Sequence, residues 1–198
     1  AITRQEAVSM IPPLVMGVEP HHRVLDMCAA PGSKTSQMLE FLHAAGAPSG
    51  FVLANDVDKQ RCHTLIHQCK RMNAPGFAVV CHEAQFMPRL YERLEARSAE
   101  GTSTRVVGMF DRVLADVPCS GDGTIRKNPD ILRRWAPHEA ISLHPLQIQI
   151  AQKGIVQLQP GGCLVYSTCS LNPLEDEAVV AELLRSSAGA IELVDVRD

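Results

Sequence analysis

Two short stretches carry the residues best suited to chemistry: Asp116-Val117-Pro118-Cys119-Ser120-Gly121 and Tyr166-Ser167-Thr168-Cys169-Ser170. Each follows a run of apolar and β-branched residues and leads into a loop rich in Gly, Pro and Asn, which predicts a cysteine at the carboxyl end of a buried strand. A thiolate is a strong nucleophile and adds to an electron-poor ring carbon such as carbon 6 of a pyrimidine. Addition pushes electron density to carbon 5, which can then attack the methyl of a sulfonium donor, and loss of the carbon 5 proton expels the thiol. The scheme needs a nucleophilic cysteine, an acid near the ring nitrogen and a group that helps remove the proton. Asp116, Cys119 and Cys169 can fill these places.

Free cysteines also pack well in cores, so either one alone reads as inert. Two at strand ends, beside Asp116, count against that reading. Spacing leaves open which one attacks. Cys169 precedes a helix expected to start near Pro173, whose amino end lowers a thiol pKa. Glu175, Asp176 and Glu177 in its first turn offset the effect.

A third stretch, Leu25-Asp26-Met27-Cys28-Ala29-Ala30-Pro31-Gly32-Ser33-Lys34, is the expected cosubstrate loop. Small residues let a ligand approach the backbone, and the following helix offers free N–H groups to anionic atoms. Lys34 in a first helical turn is not explained by the helix dipole, and a ligand carboxylate or phosphate would explain it. Asp56, at the end of the next strand, suits bidentate hydrogen bonding to ribose hydroxyls. The loop is not G-x-G-x-x-G, so the nicotinamide fingerprint is absent. Glu83 could reach an adenine amino group, although an isolated acid after a strand reads first as a surface residue.

These residues need a sheet to position them. Strands are expected over residues 23–28, 51–55, 77–81, 112–116, 163–168 and 191–196. Helices are expected over 3–16, 33–45, 59–72, 87–97, 139–158 and 175–186, with a polar loop at 99–104. Thr3 with Glu6 fits a capping box, and Pro12-Pro13 should end or kink the first helix. The alternation predicts an α/β protein with a mostly parallel, doubly wound sheet and helices on both faces.

The length of 198 residues fits a single domain. Seven cysteines, an odd number with no C-x-x-C pair, argue for reduced thiols in an intracellular protein. No apolar run is long enough for a membrane helix, and no secretory signal opens the chain. The net charge of −3 gives no global preference for nucleic acid, so such affinity must come from a local patch. The chain opens inside a helical pattern and is expected to be a piece of something longer.

Taken together, Asp-Met-Cys-Ala-Ala-Pro-Gly-Ser-Lys-Thr, Asp-Val-Pro-Cys-Ser-Gly-Asp-Gly-Thr and Tyr-Ser-Thr-Cys-Ser-Leu-Asn-Pro resemble the RNA cytosine-carbon-5 methyltransferases of the NSUN family. The wording around Arg126-Lys127-Asn128 and residues 172–178 looks closest to the eukaryotic tRNA-modifying branch. The resemblance implies a Rossmann-like, S-adenosylmethionine-dependent methyltransferase fold. It makes Cys169 the nucleophile, Cys119 the cysteine that assists product release, and Asp116 a contact to both target base and cofactor. It gives cofactor binding to Cys28, Ala29, Ala30, Pro31, Gly32, Ser33 and Lys34, and ribose binding to Asp56. Glu83 takes the adenine side, where the family normally has Asp. The family also carries RNA-binding sequence outside the catalytic core, and its sheet ends in an antiparallel seventh strand that would follow Val196. The implied partner is RNA, most of all tRNA, and the implied location nucleus, nucleolus or cytoplasm, with a monomer favoured.

Arg126, Lys127, Arg133 and Arg134, with Trp135, lie between the fourth strand and the long helix and form the expected RNA patch. A solvated loop anchored by Trp135 is the plainer reading of any one of them. His63 and His67 have metal-ligand spacing near Cys62 and Cys69, but read as helix-surface histidines, and no metal is expected. A non-catalytic RNA-binding or assembly factor that kept the fold is the rival reading. A DNA cytosine methyltransferase, in which the Pro-Cys cysteine attacks, is disfavoured by the Thr-Cys stretch.

Overall fold

The computed structural model describes residues 4–44, 46–98 and 101–197. In chain order the helices are α1 (Ala7–Val15), α2 (Ser33–Leu42), α3 (Lys59–Lys70), α4 (Ile131–Arg134), α5 (Pro137–Ile155) and α6 (Glu177–Ser186). The strands are β1 (Arg23–Asp26), β2 (Phe51–Asn55), β3 (Phe77–Val80), β4 (Tyr91–Ser98), β5 (Gly101–Gly108), β6 (Phe110–Asp116) and β7 (Leu158–Ser167). Five strands form a parallel sheet in the order β3-β2-β1-β6-β7, while β4 and β5 form a separate antiparallel hairpin.

Alternation along each strand divides the apolar residues between two layers. Val24, Val52, Ala54 and Leu114 face one side, where Met38, Leu39 and Leu42 of α2 and Leu65 and Cys69 of α3 cover them. Leu25, Val113 and Ala115 face the other, against Ile150 of α5 and Met87. Val179 and Leu183 of α6 then pack on Ala151 of α5. The sheet is doubly wound, as expected from the alternation. The chain runs outward from β1 to β3 and returns to the far side of β1 as β6. The strand order therefore reverses between β1 and β6, which opens a crevice at their carboxyl ends.

The helix expected over 87–97 is instead strand β4. It pairs with β5 over its whole length, from Tyr91↔Gly108 to Ser98↔Gly101. Local helical spacing of Leu90 and Leu94 loses to this ladder and to its anchorage. The fully buried Gln157 amide accepts Leu90 N–H at 2.8 Å and donates to Pro88 O at 2.8 Å. Arg23 holds Glu92 at 2.6 Å. Of the polar loop expected over 99–104, residues 101–104 belong to β5, while residues 99 and 100 lie outside the described residues.

Residues 191–196 form no strand. A strand needs a hydrogen-bonding partner, and β7 pairs only with β6 among the described residues, leaving Leu193, Val194 and Val196 exposed. The remaining bounds shift by a few residues, as helix ends fray. Thr3 and Ala45, placed in the first and second expected helices, fall outside the described residues. Glu6 is the N-cap of α1 without a capping bond; its carboxylate turns to Arg126 and Lys127 instead. The helix runs through Pro12 and Pro13 and stops two residues later. No helix of the described residues is long and apolar enough to cross a membrane.

Helix α5 approaches the sheet at Gly154. A Cβ there would lie 2.7 Å from Leu164 Cδ1, 2.9 Å from Met27 Sδ and 3.2 Å from Val113 Cγ1. Alanine normally stabilises a helix interior relative to glycine by about 1 kcal/mol. Here the sign reverses, because three core side chains would have to move. Gly154→Ala is expected to lower unfolding stability by about 1–3 kcal/mol in a urea titration. A gain in stability would show that this contact does not hold.

Candidate active site

The crevice at the β1–β6 reversal is a cleft of about 380 Å³, lined by Cys28 and Ala30 of the first loop, Asp56, Glu83, Asp116 and Pro118, with Leu146 and Ile150 of α5 as an apolar wall. Asn55 straps its floor. Its side-chain amide donates to Met27 O and His82 O, at 2.9 and 3.0 Å, and accepts His82 N–H at 2.9 Å, joining the ends of three strands. Nothing in the sequence pattern marked Asn55, because a buried Asn at a strand end looks like any turn residue.

Of the expected cosubstrate loop, Met27, Cys28 and Ala30 line the cleft, and Ala29, Pro31 and Gly32 complete the turn between β1 and α2. Gly32 has φ of +108°, and a Cβ would meet Leu65 of α3 at 2.8 Å, so both backbone and packing call for glycine. Ser33 starts α2. Burial pushes the Cys28 thiol far up, so it is no nucleophile. Asp56, 2 % exposed, accepts Ala30 N–H on one oxygen and Asp58 N–H on the other, both at 3.1 Å, with Arg61 at 3.4 Å. A carboxylate has about four acceptor positions. Ala30 N–H and Arg61 occupy Oδ2, so Oδ1 keeps the open position, which fits a ribose hydroxyl. Glu83 stands exposed at the rim with Gln85 donating to it at 2.8 Å. A nucleoside-sized cleft with an acid at one end and an apolar wall fits the adenosine part of the implied cofactor.

Lys34 has a partner within the chain, contrary to the expected ligand anion: its ammonium lies 2.7 Å from Asp116 Oδ2. Ser167 donates to the other oxygen of Asp116 at 2.8 Å. Asp116 and Ser167 are register partners across β6 and β7, so the loops that follow them start side by side. Cys119 and Cys169 consequently meet, with 3.2 Å between their sulfurs, and Cys169 N–H points at Cys119 Sγ, also at 3.2 Å. The Cys119 S–H hydrogen bond pulls the Cys169 thiol down to about 7 against burial and the Asp116 charge. The same bond, with burial, pushes Cys119 far up. Cys169 is the exposed member of the pair, and of the two thiols it is the one drawn toward ionisation. The helix amino end invoked for Cys169 contributes nothing: α6 begins only at Glu177, Asp176 accepts a hydrogen bond from Thr168 at 2.7 Å, and Glu175 turns inward.

The basic residues lie on the loop and the short helix α4 that follow Cys119. Gly123 N–H bonds Cys169 O at 3.0 Å, tying the basic loop to the Cys169 loop. Arg126 remains 89 % exposed, although it and Lys127 pair with Glu6. Arg133 and Arg134 are exposed on α4, Arg133 with Asp130 at 4.0 Å. Trp135 is half-buried with Ile125 and Ile131, its indole N–H enclosed, which is an anchor's position. Cys62 and Cys69 turn into the core while His63 and His67 face solvent, so those four share no centre.

A reversed parallel sheet with an acidic strand end, a nucleoside-sized cleft and two thiols above it defines a nucleotide-cosubstrate enzyme fold. The chain belongs to the 16S rRNA methyltransferase RsmB/F family, whose model matches residues 13–197. A multisite-specific tRNA:(cytosine-C(5))-methyltransferase of Saccharomyces cerevisiae is 54 % identical over 198 residues, covering 100 % of this chain and 28 % of the yeast protein. A Drosophila melanogaster tRNA (cytosine(34)-C(5))-methyltransferase is 52 % identical, covering 98 % of this chain and 26 % of the fly protein. The chain thus spans about a quarter of the length of these curated relatives. A methyltransferase homolog protein from Pyrococcus horikoshii superposes with a TM-score of 0.70 at 31 % identity, over 91 % of this chain and 50 % of that one. The fold is the Rossmann-like fold of S-adenosylmethionine-dependent methyltransferases.

Under the cleft, Asp26 accepts Thr35 O–H at 2.7 Å on one oxygen, while the other is buried without a partner. Burial raises its pKa to about 7. An acid whose folded pKa lies above its unfolded value, about 3.9, withdraws stability as pH rises between those two values. Asp26→Asn should escape that loss. Its melting temperature is expected to gain on the parent steadily from about pH 4 to pH 7 and to hold the gain above. A melting series in which the parent gains instead would mean that Asp26 is ionised and paired.

Proposed function

We propose that this protein methylates carbon 5 of cytosine in RNA, with S-adenosylmethionine as methyl donor and Cys169 as nucleophile. The observation that carries the reading is the pair of thiols 3.2 Å apart, beside a nucleoside-sized cleft whose wall includes Asp116 and Pro118.

Residues 28–34, Asp56, Glu83 and Asp116 would hold the cofactor. When bound, it supplies an electrophilic methyl on a sulfonium. Cys169 Sγ forms a bond to carbon 6 of the cytosine, and the carbon 5–carbon 6 electron pair becomes available at carbon 5 for the new carbon–methyl bond. Asp116, carried between Lys34 and Ser167, orients the ring through its nitrogen edge. The carbon 5 proton then passes to water, the electrons of that C–H bond restore the carbon 5–carbon 6 double bond, and the carbon 6–sulfur electron pair leaves with Cys169, a departure that Cys119 assists. The same cysteine thus serves first as proton partner of the nucleophile and then in its discharge.

The substrate proposed is tRNA, on which the two eukaryotic relatives act by name. The exposed guanidinium groups of Arg126, Arg133 and Arg134, with Lys127, are proposed to neutralise its backbone around a flipped or single-stranded cytosine.

The test is methyl transfer from labelled S-adenosylmethionine to an unmodified tRNA transcript, followed by digestion to nucleosides. Label is expected in 5-methylcytidine only, falling to background in Cys169→Ala. Asp56→Ala should raise the cofactor requirement about tenfold to a hundredfold by removing charge-assisted hydrogen bonds. Label in any other nucleoside, or activity surviving in Cys169→Ala, would contradict the reading.

A further inference from the structure

Neither cysteine loop is held in place by the sheet alone. Beyond Asp116 and Ser167 the two chains leave the ladder; Gly123 N–H to Cys169 O and Leu171 N–H to Asp122 join them further out, and one buried carboxylate takes hydrogen bonds from the residues next to both cysteines. Glu175 is completely buried. Its Oε1 accepts Ser120 N–H at 2.8 Å and the Gln147 side-chain amide at 3.0 Å; its Oε2 accepts the hydroxyls of Ser120 at 2.5 Å and Ser170 at 2.7 Å. Ser120 directly follows Cys119, and Ser170 directly follows Cys169. Gln147 in turn donates to Pro118 O at 3.0 Å, and the Tyr166 hydroxyl donates to Glu175 O at 2.6 Å. All four acceptor positions of the carboxylate are filled, and its neighbours reach back to the residue before Cys119 and forward from β7.

An unpaired buried carboxylate would be strongly unfavourable, whereas this one is neutralised only if both loops converge on it. Burial raises its pKa, but the hydrogen bonds from Ser120, Ser170 and Gln147 outweigh it and hold the carboxyl below the usual range. The ionised form is therefore the one in place, and it acts as a two-sided clamp.

We propose that Glu175 is a positioning residue that sets the separation of the Cys119 and Cys169 thiols, and so keeps Cys119 donating to Cys169. The charged and titratable groups facing Cys169 are Cys119, Asp116 and Lys34, with Asp176 bound to the neighbouring Thr168. Glu175 works through the first of these. Loosening the clamp separates the sulfurs and returns Cys169 toward an ordinary thiol. The claim concerns two thiols in the free protein, so it stands or falls independently of the methyl-transfer reading, on which only its catalytic significance rests.

Iodoacetamide alkylation of Cys169, followed peptide by peptide across pH 5–10, tests it without RNA or cofactor. Glu175→Gln keeps the shape, and the serine hydroxyls can rotate to accept, but the charge that gathers both loops is gone. Its Cys169 midpoint is expected to rise toward the ordinary thiol value near 8.5, slowing alkylation at pH 7 roughly tenfold. Ser170→Ala, which cuts the link to the Cys169 loop together with the Asn172 N–H bond to the same hydroxyl, should move the midpoint the same way by a smaller amount and serves if Glu175→Gln does not fold. Val179→Ala, a cavity in α6 that removes none of the carboxylate's hydrogen bonds, should lower the melting temperature with the midpoint unmoved. An unchanged midpoint in Glu175→Gln or Ser170→Ala would overturn the proposal, as would an equal shift in Val179→Ala, since either makes Glu175 merely structural.

Discussion

The register between β6 and β7 governs the site. Asp116 lies opposite Ser167, so Cys119 and Cys169 emerge from adjacent strands within hydrogen-bonding reach of each other. Because side chains alternate faces, a slip of one residue would turn Ser167 away from Asp116 and part the two loops. The pairing is enforced from below by the core residues Val113, Leu114 and Ala115, all fully buried, and from above by the Glu175 carboxylate. Sheet register and buried charge thus act on the same few atoms. The neighbouring Cys119 thiol draws the Cys169 thiol downward, and the Lys34 charge adds to it.

The same geometry explains why Asp116 can serve two regions at once. It ends β6 on the boundary between the cleft and the thiols, and Lys34 at the start of α2 holds its outer oxygen. The strand-order reversal places the β1 loop directly beside the β6 loop, so the nucleoside-sized cleft and the cysteines share a wall. Methyl donor and target base would approach each other across Asp116. The ion pair with Lys34 also removes the puzzle of a lysine in a first helical turn, since its charge answers a carboxylate two strands' loops away in sequence.

Much of this was legible before the structure. The parallel strands, their helices and both cysteine loops follow from runs of apolar residues broken by small and polar ones, because each buried strand must end where its loop begins. The β4–β5 hairpin was not, since the spacing of Leu90 and Leu94 suits a helix and the competing ladder depends on residues a dozen positions away. The strand expected over 191–196 has the right alternation but no partner among the described residues. Glu175 looked like one more acid in a helix's first turn; only the three-dimensional convergence of Ser120, Ser170 and Gln147 shows that it faces inward. Glu6 looked like half of a capping box and instead pairs with Arg126 and Lys127. Long-range polar contacts leave no periodic trace, and these account for most of what the sequence concealed.

The proposed division of labour is that Cys169 attacks while Cys119 releases. It is tested most directly by incubating labelled tRNA and S-adenosylmethionine with the wild type, Cys119→Ala, Cys169→Ala and the double variant, then resolving the mixtures on a denaturing gel. Cys119→Ala should accumulate a covalent protein–RNA adduct that survives SDS, because attack proceeds and release stalls. The double variant should show none. An adduct that persists in Cys169→Ala would contradict the assignment and make Cys119 the nucleophile.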